Sequence, residues 1–363
     1  MGKALSVFGI ILLFPAIENQ VYCQEESINK QPAALSDFIE SKRDEPDSLG
    51  SPAKLEARGF ALSERSPSMN NGVSRDSEQA LPSDLAMPLG SLFLPGLGQW
   101  TNDKYFSASV YTGFAIGGIS TALYEQKHHR ASEADTENEL GLTSKNFTKR
   151  KIALGLQTYQ TMGGLSLYHT FIDSTDKYRS FSTKYQFLRN QTSIRDLALA
   201  PFNFKNLQRP STVIPLIIAG VLGSVATTNH NETTEASKIT ATDLMFSSSF
   251  SWNASTHEEA IFRGWMMPVL REYWVSSQVA NVIQSGAFAA AHLQSNDRPI
   301  PQLLLGWHLG NVTQANDWSI EESVFIHAWW DVILLTAAYS QVRKKDTIQE
   351  PVSIHLPPLR LDF

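Results

Sequence analysis

Cysteine is almost absent from this chain: there is one, Cys23, in 363 residues. That excludes a disulfide framework and a zinc site built on thiolates. An excess of positive charge is missing too. The net charge is −6 and the pI about 5.9, which argues against a basic face and so against nucleic acid as a partner. The 21 glycines and 17 prolines follow no period, which excludes collagen-like or chain-wide low-complexity character. Long apolar runs are few and the mean hydropathy is −0.19, which taken alone points to a soluble helical protein. That average joins two unlike textures, and read segment by segment it points elsewhere.

Met1 to Cys23 reads as a signal peptide. Lys3 supplies the positive start, Ala4 to Ile17 the apolar run, and a polar stretch follows. The run is shorter than the roughly 20 residues a comfortable span needs. Cleavage after Cys23 places Val21 and Cys23 at the positions that precede the cut, and leaves a mature chain with no thiol. Residues 24–86 form an acidic linker rich in Ser, Pro, Asp and Glu. It holds twelve acidic and seven basic residues, and so carries −5 of the chain's −6. Such a stretch buries too little apolar surface to offset its ordering entropy and is expected to be disordered.

From Met87 the texture changes. Met87 to Trp100 is apolar but broken by Gly and Pro, which suits a re-entrant or interfacial turn. Phe106 to Leu123 and Ile152 to Ile172 carry no charge and read as a membrane hairpin, the domain 87–173. The loop between them contains His128-His129-Arg130, read as a solvated or membrane-surface patch rather than a metal site. A polar connector, 174–212, follows. Then come shorter apolar segments: Val213–Ala226, Leu244–Asn253, Ala260–Leu270, Val279–Leu293, Leu303–Val312 and Ser323–Tyr339. After a signal sequence, these read as an all-α fold, a polytopic membrane helical bundle with a disordered N-terminal segment and a polar interior. The tail, 341–363, opens with Arg343, Lys344 and Lys345, which suggests a cytoplasmic C-terminus, but the two earlier loops are also basic, so charge does not settle the topology.

Three motifs carry chemistry. In Glu258-Glu259-Ala-Ile-Phe-Arg263, two glutamates begin an apolar segment, which is costly in a membrane without a partner or a purpose. Glu259 and Arg263 are four apart and can pair. Glu258 sits about 100° around the helix from Glu259 and can point elsewhere. Phe288-Ala-Ala-Ala-His292 places a histidine at the end of an alanine face that lets helices approach closely. His327-Ala-Trp-Trp-Asp331 presents an imidazole and a carboxylate on one face, which suits a metal, an activated water or a plain hydrogen bond. Trp265, Trp329 and Trp330 lie near these motifs, as groove walls or interfacial anchors. His308 reads as structural.

In this order the motifs resemble those of the CAAX-protease and bacteriocin-processing family of intramembrane proteases, which includes the type II CAAX prenyl endopeptidases. The resemblance covers about Val213 to Tyr339, within a domain set at 213–340. It departs at Asp331, where the family often has Asn. It implies an intramembrane endopeptidase, a probable metalloprotease, acting on a membrane peptide or protein. Its catalytic residues would be Glu258, Glu259, Arg263, His292, His327 and Asp331. Glu258 would be general base or ligand. His292 and His327, with Glu258 and Asp331, would hold Zn2+ or another divalent metal. In a metal-free glutamate mechanism the histidines would face the oxyanion instead. Glu259 and Arg263 would fix the helix. The competing expectation is a non-catalytic membrane protein of the same fold, an immunity factor or scaffold. The expected location is multi-pass in the lipid bilayer, the bacterial inner membrane, with the N-terminal segment exported.

Upstream, Ser91-Leu-Phe-Leu-Pro95-Gly96-Leu-Gly98-Gln99 followed by Lys104-Tyr105 is similar to an uncharacterised bacterial membrane-domain family. That resemblance spans about Met87 to Ile172 and implies membrane association without an activity.

Overall fold

The computed structural model describes residues 83–128, 147–228, 239–293 and 299–341. The expected signal peptide, nearly all of the expected acidic linker, His129, Arg130 and the basic tail lie outside these residues. Every regular element among the described residues is helical. In chain order they are α1 (Ser83–Phe93), α2 (Leu97–Thr101), α3 (Tyr105–His128), α4 (Phe147–Phe181), α5 (Ile194–Leu199) and α6 (Pro210–Thr228). Then come α7 (Ala241–Glu259), a π segment (Ala260–Met266), α8 (Met267–Tyr273), α9 (Ser277–Ala291), α10 (Pro299–Ala315) and α11 (Glu321–Gln341). Helix α1 starts at Ser83, inside the stretch expected to lack structure, and its Asp84 and Leu85 are buried. The expected connector is partly helical, since α4 runs on to Phe181 and α5 and two 3-10 turns follow.

Helix α3 is the one described helix long and apolar enough to cross a membrane by length and composition; Pro210–Val225 is a shorter apolar stretch.

The Leu-Pro-Gly-Leu-Gly-Gln segment is a clasp onto α4. The chain reverses at Gly96, whose φ of 100° suits a residue without a side chain. The Gly96 amide donates to Ser166 Oγ at 2.8 Å, and the Gly98 amide to Ser91 Oγ at 2.8 Å. Gln99 Nε2 donates to the Ser166 carbonyl and to Thr170 Oγ1, while Gln99 Oε1 accepts from Ser166 Oγ at 2.6 Å. Buried polar groups are tolerated when such a network satisfies them. Lys104 closes the turn on Asp173 at 2.6 Å.

Helix α4 then meets α7. At one end Arg150 pairs with Asp243 at 2.5 Å, both nearly fully buried, and its guanidinium lies over the rings of Phe246 and Tyr339. Breaking a buried pair leaves an uncompensated charge. Arg150→Met is therefore expected to cost about 3 kcal/mol and to lower the thermal midpoint in detergent.

At the opposite end Tyr185 and Tyr273 both donate to Asp84 Oδ2, at 2.7 and 2.6 Å. Burial and the Asp84 carboxylate push the Tyr185 hydroxyl far above the usual tyrosine range, so it remains a donor. Nearby, Glu322 accepts from Ser211 at 2.5 Å, from Thr212 at 2.9 Å, from Asn316 at 2.7 Å and from Arg209. That ties the start of α6 to the start of α11.

Candidate active site

The two segments Leu244–Asn253 and Ala260–Leu270 form one continuous helical rod, α7 to α8. Glu258 and Glu259 therefore stand in the middle of a helix rather than at its beginning. The π segment starts directly after them. Single π turns inside α-helices recur at functional sites, because the extra residue re-aims the side chains around it.

Glu259 is fully buried, and its Oε1 serves two partners. Arg263 Nη1 donates to it at 2.7 Å, and His327 Nδ1 lies 2.8 Å away. The pair predicted from the i, i+4 spacing is present, but the reach to His327 is new. Arg263, also fully buried, donates from Nη2 to the Gly306 carbonyl at 3.1 Å and stacks on the Phe288 ring at 4.5 Å.

Glu258 reaches the other nitrogen of the same imidazole, that of His327. Its Oε2 lies 3.6 Å from His327 Nε2 and 3.9 Å from His292 Nε2. Asp331 Oδ2 lies 3.4 Å from His327 Nε2. His292 sits just past the end of α9, where its Nδ1 is 2.8 Å from the Phe288 carbonyl. Thus both imidazoles direct Nδ1 to an oxygen acceptor behind them. The Nδ1 contacts set which way each ring faces, and Nε2 of both rings is turned to the carboxylates. The side chains of Glu258, His292 and Asp331 are 19, 28 and 33% exposed against 3% for His327, so the centre opens on one side.

The fold thus gathers the six residues picked out by the three motifs into one centre. It separates the tryptophans. Trp265 is core, 1% exposed. Trp329 donates to the Pro201 carbonyl and packs in a cluster with Phe204 and Trp252. Trp330 packs on Leu305, Leu309, Val312 and Ile326. His308, read as structural, has its Nε2 on the Ser211 carbonyl at 2.9 Å. A cavity of about 370 Å3 lined by Arg209, His308, Asn311 and Glu322 among others includes none of the six site residues.

Among the described residues no three His, Cys, Asp or Glu side chains form a ready metal-holding group. The side chains present are nevertheless of a kind that divalent metals accept. A tetrahedral ion with bonds of about 2.0–2.1 Å needs about 3.3 Å between ligand atoms. Glu258–His327, Glu258–His292 and His327–Asp331, at 3.6, 3.9 and 3.4 Å, are wider than this. The Nδ1 contacts orient both rings.

A helical protein with two glutamates, two histidines and an aspartate gathered in its interior is the class that fold and site define. Residues 240–333 match the family model described as type II CAAX prenyl endopeptidase Rce1-like. The match covers all three motifs, is to a family of membrane-embedded endopeptidases, and agrees with the resemblance read from the motifs. No curated protein and no solved structure matches the chain.

Proposed function

We propose that this chain is an intramembrane endopeptidase in which Glu258 activates a water for attack on a peptide bond. The observation that carries this reading is the orientation of the two imidazoles, each with Nδ1 held behind it and Nε2 turned to Glu258. Glu258 takes the proton from the attacking water and returns it to the leaving amine. General acid–base transfer by a positioned side chain contributes about 10²–10⁴ in rate. Glu259, paired to Arg263, holds the His327 ring in place. With Glu258 as base, a divalent cation would be held by His292, His327 and Asp331, and would polarise the carbonyl and lower the pKa of water. Without one, protonated Nε2–H groups would donate to the oxygen that gains charge.

The surface supports a multi-pass membrane setting. Phe106, Phe114 and Ile116 on α3, Ile214, Ile217 and Val221 on α6, and Ile300 and Leu304 on α10 all point outward. The interior holds Gln99, Arg150, Gln157, Asp243, Glu259, Arg263, Asn281 and Gln284. Apolar side chains outside and charged ones inside suit lipid as the surrounding solvent.

The reading is tested with purified protein in micelles against two quenched CAAX peptides, one farnesylated and one not. Cleavage is expected, with His292→Ala and His327→Ala inactive but folded. If a divalent ion is the electrophile, one equivalent co-purifies and a chelator removes both metal and turnover. Full turnover by both histidine variants would overturn this site, and no cleavage by any form would leave the non-catalytic scaffold as the better account.

A further inference from the structure

Residues 147–181 stand outside the segment matched by the family model, yet one face of α4 lies directly behind the catalytic glutamate. Gln157, Thr161, Gly164 and Tyr168 follow at spacings of four, three and four, which keeps them on one helix face. All four are buried. Gln157 Nε2 meets His257 Nδ1 at 2.9 Å, and Thr161 Oγ1 donates to the Asn253 carbonyl at 3.1 Å. A Cβ on Gly164 would lie 2.7 Å from His257 Cβ and 2.9 Å from its Cα, so the helices touch there. The Tyr168 ring covers Gly264 in the π segment, where a Cβ would come within 2.7 Å of it.

His257 immediately precedes Glu258. Its ring has one other hydrogen-bond contact at Nδ1, to the Asn253 carbonyl of its own helix at 3.3 Å. The π segment that follows Glu259 breaks the regular register of the rod, so the helix alone does not fix where Glu258 points. A rotation of about 10° at a carboxylate roughly 6 Å from the axis moves it by about 1 Å. A misplacement of about 1 Å costs on the order of 10² in rate.

We propose that Gln157 is a positioning residue for Glu258: its hydrogen bond to His257, over the Gly164 contact, sets the rotation of α7 that turns Glu258 toward His292 and His327. The Leu-Pro-Gly-Leu-Gly-Gln clasp, which fastens to Ser166 and Thr170, holds α4 in register for this contact. The hairpin region is then the back wall of the active site rather than an appended module. The proposal rests on the endopeptidase reading for its catalytic consequence, but not for its geometry.

Gln157→Met removes the hydrogen bond at nearly constant volume and is the variant to test. With the farnesylated CAAX peptide, kcat is expected to fall at least about tenfold with KM within about twofold. Combined with His257→Phe, the loss should be no larger than that of the worse single variant, because both act through one contact. A kcat within twofold of wild type, a loss carried by KM alone, or fully additive losses would overturn it.

A second measurement needs no turnover. A nitroxide on Glu258→Cys, in a Cys23→Ser background, should give one immobilised spectral component. Gln157→Met should add a mobile one, and an unchanged spectrum would overturn the proposal. If the wild type cleaves neither peptide, the endopeptidase reading fails and the nitroxide spectrum alone decides the role of Gln157.

Discussion

Arg263→Met is expected to cost about 3–5 kcal/mol of stability, enough to unfold much of the protein at working temperature. The side chain is fully buried and bonded twice, to Glu259 Oε1 and to the Gly306 carbonyl. Removing the cation leaves the Glu259 carboxylate buried with only His327 beside it, and the Gly306 carbonyl without its arginine donor. An uncompensated buried charge is the expensive outcome, far more so than loss of the pair as a whole. The double variant Arg263→Met with Glu259→Met should therefore recover part of the lost stability. It should not recover cleavage, because His327 then loses its Nδ1 partner. Unfolding followed by loss of helical signal in mixed micelles checks both statements. Equal stability of Arg263→Met and wild type would show that the pair does not bear on the fold.

Glu258→Gln is expected to lower kcat/KM for a cleaved peptide by about 10³-fold or more, near the upper part of the range for a general base. The amide matches the carboxylate in size but does not accept the proton from water. Its position argues for a smaller structural effect: the Glu258 side chain is 19% exposed, against 0% for Glu259. The thermal midpoint should stay within a few degrees of wild type. The two adjacent glutamates thus separate by readout, one affecting turnover and the other stability.

Much of this was legible in the motifs. The one-residue offset between Glu258 and Glu259 and the four-residue spacings to Arg263 and from His327 to Asp331 survive folding as written. The uncharged run Phe106–Leu123 became α3 with a few residues added at its C-terminal end. What did not show was continuity. The serine-rich stretch before Glu258 has no clear apolar period, and a π segment leaves no mark in a 3.6-residue pattern, so one rod read as two segments. The second partner of Arg263 was hidden because it is a backbone carbonyl, on Gly306. A signal existed: Gly306 and Gly310 are four apart, the spacing that lets two helices touch. A Cβ at Gly310 would collide with Asn281 Oδ1, and Asn281 and Gln284 bond across that contact to the α10 backbone. Gln157 lay in an uncharged run where its role depends on a helix a hundred residues away. No local pattern reports that.

The account turns on Glu258 facing a bound water in a centre completed by His292, His327 and Asp331. The most direct measurement is mass-spectrometric detection of hydrolysis of the farnesylated and unmodified CAAX peptides by purified protein in micelles, wild type beside Glu258→Gln at equal folded fraction. The account predicts cleavage of at least one peptide at a single bond by the wild type and none above background by the variant. Equal cleavage by the two proteins, or intact peptides in every sample, would contradict it.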